Sequence, residues 1–167
     1  TGRASSVFRV PIRNAIYAES YAEASRINHE KTGKKLSKQS WNISNKIREL
    51  DELLNKHPEL IGIIQESHPE LCFEGLAGHG LEHRKAVREG FQERLALLCQ
   101  WGPLVEAVIA RAWLNHGGYE LNRDDILDAC VLALSAKNFT HCHSLPAQAP
   151  VDARGIPMQI MYYSTIA

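Results

Sequence analysis

No run of the chain approaches the roughly 18 consecutive apolar residues that a membrane-spanning helix requires, and no charged-then-apolar leader opens it. Both absences point to a cytoplasmic protein. Net charge is also missing. Lysine plus arginine and aspartate plus glutamate both total 19, which removes any global pull toward nucleic acid or an anionic surface. The four cysteines (Cys72, Cys99, Cys130, Cys142) contain no C-x-x-C pair. That excludes a thioredoxin-like motif and gives no zinc-ribbon spacing, so reduced thiols filling core positions are expected. The sequence has no G-x-x-x-x-G-K-[ST], no G-x-G-x-x-G and no G-x-S-x-G. Nucleotide-dependent and serine-hydrolase chemistries therefore have no sequence support.

What is present is an ordinary globular composition, 44% apolar and 23% charged over 167 residues. That is enough chain for one domain with a real core. Charge that cancels overall is nevertheless uneven. From Arg26 to Arg48 stand seven bases (Arg26, Lys31, Lys34, Lys35, Lys38, Lys46, Arg48) against the single acid Glu30, a run that either follows phosphates or forms a solvated face.

Periodicity orders the elements. "SSVFRVP" (5–11) reads as a short strand closed by proline, and residues 14–30 as an amphipathic helix. After the basic loop "KTGKKLSKQS", Trp41, Ile43, Ile47, Leu50, Leu53 and Leu54 mark a second helix that ends near His57–Pro58. "LIGIIQE" (60–66) is a short continuous apolar run between prolines and is expected to be a buried strand. "SHPELCFEGLAGHG" reads as a loop, followed by helices over 82–101, from Pro103 to the glycines 117–118, and over 124–138 with Asn122 as N-cap. "GIPMQIMYY" closes the chain as a strand. The class is α/β, with helices outnumbering three strands.

The acids carry the chemical signal. In "NRDDILDACVLAL", Asp125 and Asp128 are three residues apart and share a helix face. Acids in a first turn complement the helix dipole, which accounts for Asp124 and Asp125. Asp128 lies a turn deeper among Ile126, Leu127, Val131 and Leu132. A carboxylate there needs a cation or strong donors. A lysine or arginine partner is one solution and a metal is the other. A second cluster, "QESHPE", places Glu66, His68 and Glu70 just beyond the run 60–66. If Glu66 joined Asp125 and Asp128, the site would be hard and oxygen-rich, suited to Mg²⁺ or Mn²⁺. Such ions support phosphodiester displacement. His79 with His83 lacks a third zinc ligand, and the "HCH" at 141–143 follows the last helix, where histidines complement the C-terminal dipole.

The blocks "GRASSVFRVPIRNAIYAESYAEASRINHEKTGKKLSKQSWNISNKIRELD", "ESHPELCF", "KAVREGFQERLALL", "DDILDACVLALSA" and "DARGIPMQIMYY" occur in this order. Together they resemble domain-of-unknown-function family 429, whose members are predicted nucleases of the ribonuclease H fold. The resemblance implies a mixed sheet flanked by helices and a Mg²⁺- or Mn²⁺-dependent nuclease site. Asp125, Asp128 and Ala129 are similar to the last-helix acids of RuvC-type resolvases, and Glu66 stands where those enzymes carry an acid after a middle strand. His68 and Glu70 belong to the family's H-P-E block, and Lys85 and Arg94 to its basic helix block. Members usually begin with an aspartate-bearing strand and a second aspartate before an I-P-I-G-like turn, and neither block occurs here. With Thr1 in place of an initiator methionine, the chain is expected to be the C-terminal two-thirds of such a domain, the N-terminal part of the sheet missing.

The expectation is thus a metal-dependent nuclease. Glu66, Asp125 and Asp128 would be catalytic metal ligands, with His68, Glu70 and Asp124 supporting them. Lys34, Lys35, Lys38, Lys85 and Arg94 would bind phosphate. The partner implied is nucleic acid, DNA or RNA left open, with no membrane and with assembly into oligomers left open. The alternative is a non-catalytic binding or scaffold domain that retains the fold.

Overall fold

The computed structural model describes residues 10–102, 104–116 and 122–165. It is mixed α/β and mostly helical, and it divides into two compact units, Thr1–Ile64 and Gln65–Ala167. The strand expected over 5–11 falls mainly outside the described residues; Val10 and Pro11 belong to no strand.

The first unit contains α1 (Arg13–Ile16), α2 (Tyr21–Thr32), α3 (Lys38–Asn42) and α4 (Ser44–Lys56). The single helix expected over 14–30 is broken between α1 and α2. Ser20 adopts an extended backbone and its side chain accepts from the Glu23 amide. This N-cap bond gives the chain a helix start that a continuous helix could not use. Ala15, Ala18, Ala24 and Leu36 form a small core, with Ile12, Ile27 and Trp41 packed against it. Asp51 of α4 is buried. It accepts from Arg13 Nε at 2.8 Å and from the Tyr17 hydroxyl at 2.7 Å. Nothing in the sequence distinguishes this acid from its neighbours Glu49 and Glu52.

The buried strand expected over 60–66 does not form. Pro58–Leu60 is a 3-10 turn, and Ile61 bridges only to Ile64 across Gly62, whose φ of 93° lies in the left-handed region. Ile63 is 72% exposed. Glycine at a positive φ turns the chain back on itself, and a short apolar run with no ladder partner has nothing to hold it extended.

The second unit contains α5 (Pro69–Ala77), α6 (Arg88–Cys99), α7 (Leu104–His116), α8 (Arg123–Lys137), β1 (Cys142–Leu145) and β2 (Ile160–Tyr163). The strands pair antiparallel, from Cys142 opposite Tyr163 to Leu145 opposite Ile160. The segment 67–80, expected as loop, contains α5 instead. Pro69 occupies the first helical turn and Gly78 ends the helix at φ 75°. Proline and glycine that punctuate a loop are also the residues that start and stop a helix. The helix expected from Glu82 begins only at Arg88, for a reason given below. The helices α7 and α8 and the strand β2 stand where periodicity puts them; β1, in "HCHSL", is too short for its alternation to show.

Cys72, Phe73 and Leu76 of α5, Leu98 of α6, Ile109 of α7 and Ile126, Leu127 and Val131 of α8 make one core. Gly75 lets α5 approach β2 closely. A Cβ there would lie 2.1 Å from the Tyr163 carbonyl oxygen. This packing fixes where α8 and the first turn of α5 present their acids.

Candidate functional site

The first turn of α8 sorts its three aspartates into different tasks. Asp125 faces outward and caps its own helix: Oδ2 accepts from the Asn122 amide at 3.0 Å and from Asn122 Nδ2 at 3.2 Å. Asp124 and Asp128, four residues apart and so on one face, turn to a common cation. Lys85 Nζ donates to Asp128 Oδ2 at 2.9 Å and lies 3.3 Å from Asp124 Oδ2. Burial pulls the Lys85 ammonium pKa down, but hydrogen bonds and charge from Asp128 and Asp124 outweigh it, leaving the pKa above the ordinary lysine value. The other oxygen of Asp128, Oδ1, is buried and has no hydrogen-bond partner among the described residues.

Lys85 reaches this position because the loop before α6 is latched. The Glu93 carboxylate accepts from the backbone amides of Glu82 at 2.8 Å and His83 at 3.0 Å. Desolvation raises its pKa, yet those two amides, with the charges of His83 and Arg94, hold it below the usual carboxylate range. The same bonds keep Glu82 and His83 out of helical geometry, which is why α6 starts late. Gly90 permits the loop to close: a Cβ there would fall 1.9 Å from the Arg84 carbonyl oxygen.

Arg94 sits beneath the latch, its side chain 1% exposed. Its guanidinium makes a two-pronged bond to Glu70, Nε to Oε1 at 2.9 Å and Nη2 to Oε2 at 2.7 Å. Nη1 donates to the carbonyls of Gly90 at 2.8 Å and His83 at 3.3 Å. The planar fork of arginine suits this bidentate geometry in a way lysine could not. Expected as a phosphate ligand, Arg94 is instead buried and fully engaged with Glu70 and the loop backbone.

The expected acids therefore do not all converge. Asp124 and Asp128 meet on Lys85, Glu70 binds Arg94, Asp125 caps α8, and Glu66 is exposed while its backbone carbonyl accepts from the Met161 amide at 2.8 Å. His68 precedes α5 with Nδ1 buried and unpartnered among the described residues. No group of three or more His, Cys, Asp or Glu side chains that could hold a metal ion occurs among the described residues. The described residues supply two converging carboxylates, short of the six or so oxygens a hard divalent cation takes, some of them from water. Lys34, Lys35 and Lys38 belong to the first unit, where Lys38 Nζ lies 4.7 Å from the centre of the Tyr21 ring.

Nothing in the sequence singles out Glu93, and the expectation of phosphate for Lys85 leaves out its carboxylate partners. No helix among the described residues is long and apolar enough to cross a membrane.

A family model described as Protein of unknown function (DUF429) matches residues 1–151. The chain belongs to DUF429. No curated protein and no solved structure matches this DUF429 chain. Within the DUF429 match lie all the site residues described above, from Lys34 through Glu70, Lys85 and Arg94 to Asp128.

Proposed function

We propose that this DUF429 chain contributes to a ribonuclease H-like, divalent-metal-dependent phosphodiesterase acting on nucleic acid, and that Asp124 and Asp128 are the acids it brings. The observation that supports this reading is Asp128. It is a largely buried carboxylate with one oxygen on a cation and the other without a partner among the described residues. A group in that state costs free energy that a cation would recover. The Lys85 ammonium stands as the resident positive charge between the two acids and marks where a divalent cation would lie. Two carboxylates do not complete such a site, and the remaining oxygens a hard cation takes, water among them, would have to be added to them. A bound Mg²⁺ or Mn²⁺ would supply charge stabilisation for phosphodiester displacement. The chain's own residues hold the two carboxylates in register on one turn of α8 and place the ammonium against them through the Glu93 and Arg94 latch.

A second reading, a non-catalytic binding or scaffold domain, is favoured by one specific observation: Glu70 is already neutralised by an arginine in an internal ion pair. Cleavage assays separate the two. The chain is incubated with labelled single-stranded and duplex DNA and RNA in Mn²⁺, beside Asp128→Asn. Cleavage that requires Mn²⁺ and vanishes in the variant supports the nuclease reading. Equal, metal-independent background in both supports the scaffold reading.

A further inference from the structure

The first unit carries a surface that the acid site does not use. From Lys31 to Arg48 the chain contains six bases and no acid. Of these, Lys46 pairs with Glu49, Arg48 donates to Asn45 and Lys38 rests over Tyr21. Lys31, Lys34 and Lys35 are exposed and have no carboxylate partner among the described residues.

The turn that displays Lys34 and Lys35, with Lys31 on the last turn of α2 beside it, is tied down by hydrogen bonds. Gly33 ends α2 at φ 68°, its amide donating to the His29 carbonyl. Asn28, 6% exposed, donates to the Lys34 carbonyl at 2.9 Å and accepts from the Ile12 amide at 3.0 Å. Thr32 Oγ1 donates to the Asn28 carbonyl at 2.7 Å and accepts from the Lys34 amide at 3.2 Å. The Tyr21 hydroxyl donates to the carbonyl of Leu36, itself 4% exposed. A solubilising lysine needs none of this. A buried asparagine that spends its amide on the backbone of a basic turn fixes where the lysine stems leave the surface, and so lowers the ordering cost of binding.

From this we infer that the α2–α3 turn is a docking surface for the phosphodiester backbone of nucleic acid, gripped by Lys31, Lys34 and Lys35 without reading bases. Nucleic acid is favoured over an acidic peptide because unpaired point charges spaced along one rigid turn match a polymer carrying a charge at every residue. The inference rests on the nucleic-acid substrate proposed above, but not on the metal site.

The test is fluorescence anisotropy of labelled single-stranded DNA with the whole chain in EDTA, over a salt series. The variants are Lys31→Gln/Lys34→Gln/Lys35→Gln and, as a charge control, Lys56→Gln/Lys137→Gln. The triple variant should bind at least about ten-fold more weakly at low salt. Its log–log salt slope should also be shallower, by about 0.7 for each phosphate of the single strand that it no longer neutralises. The control should bind like wild type. Circular dichroism verifies that the triple variant is folded. Wild type and triple variant binding alike would overturn the inference. So would competition by poly-glutamate as effective as competition by unlabelled DNA. Because the titration contains no divalent cation, loss of the docking surface and loss of the proposed nuclease activity are read separately.

Discussion

Removing the Arg94 guanidinium is expected to be among the most damaging single changes in the second unit. Arg94→Met keeps an unbranched stem but deletes both bonds to Glu70, at 2.9 and 2.7 Å, and both bonds to the carbonyls of Gly90 and His83. Glu70, with its side chain 15% exposed, then loses the bidentate Arg94 contact. Breaking a buried pair from one side costs about 3–5 kcal/mol, most of it the uncompensated charge. A domain of this size holds about 5–15 kcal/mol in total, so the variant should lose a large share of its stability. Its melting temperature should fall by roughly 6–20 °C at about 2–4 °C per kcal/mol. Glu70→Leu alone should cost a comparable amount by stranding the arginine. The double variant should cost less than the sum, with a coupling energy of about 2–3 kcal/mol. Urea unfolding measures this cleanly in a Trp41→Phe background, where the remaining tryptophans, Trp101 and Trp113, both report on Gln65–Ala167. A loss under about 1 kcal/mol for Arg94→Met, or strictly additive costs, would refute the claim that this pair locks α5 to α6.

The remaining predictions concern the packing and the latch. Gly75→Ala should destabilise by about 1–3 kcal/mol, the range of forced overpacking, because its methyl would drive α5 off the Tyr163 carbonyl; a thermal melt within about 2 °C of wild type, the shift of less than about 1 kcal/mol, would contradict this. Asp128→Asn without metal should cost only about 1 kcal/mol, because Lys85 is 38% exposed and its pairing is screened; its penalty should shrink in high salt. Glu93 has a lowered folded pKa, so its contribution is complete above the ordinary glutamate value of about 4.3 and is lost as pH falls through the folded value. Glu93→Gln should therefore flatten the acid side of the stability profile and leave the alkaline side unchanged, as followed by denaturant midpoints from strongly acidic to mildly alkaline pH; an unaltered acid side would contradict the latch.

The long periodic helices were legible in the sequence because their apolar spacing, caps and glycine stops agree. Asn122 at the N-cap of α8 is a case in point. What misled were short segments whose state depends on neighbours. "LIGIIQE" has strand composition, but its glycine turns it and no ladder receives it. "HPELCFEGLAG" has loop punctuation, yet it folds as α5 because Cys72, Phe73 and Leu76 have a core to enter. At the site, the need of Asp128 for a cation was readable from its apolar surroundings, and Lys85 meets half of it. The division of labour between Asp124 and Asp125 was not readable, since adjacent first-turn acids differ only in the direction the backbone gives them. Arg94 could not be told from a surface base, because its burial depends on Glu70, 24 residues away.

If Asp124 and Asp128 form part of a divalent-cation site whose position Lys85 holds, calorimetric titration of Mn²⁺ should show saturable binding to the wild-type chain. Binding should be tighter in Lys85→Ala, where the competing ammonium is gone, and lost in Asp128→Asn. Binding that is absent in both wild type and Lys85→Ala, or unchanged by Asp128→Asn, would contradict this account and leave α8 with a structural ion pair alone.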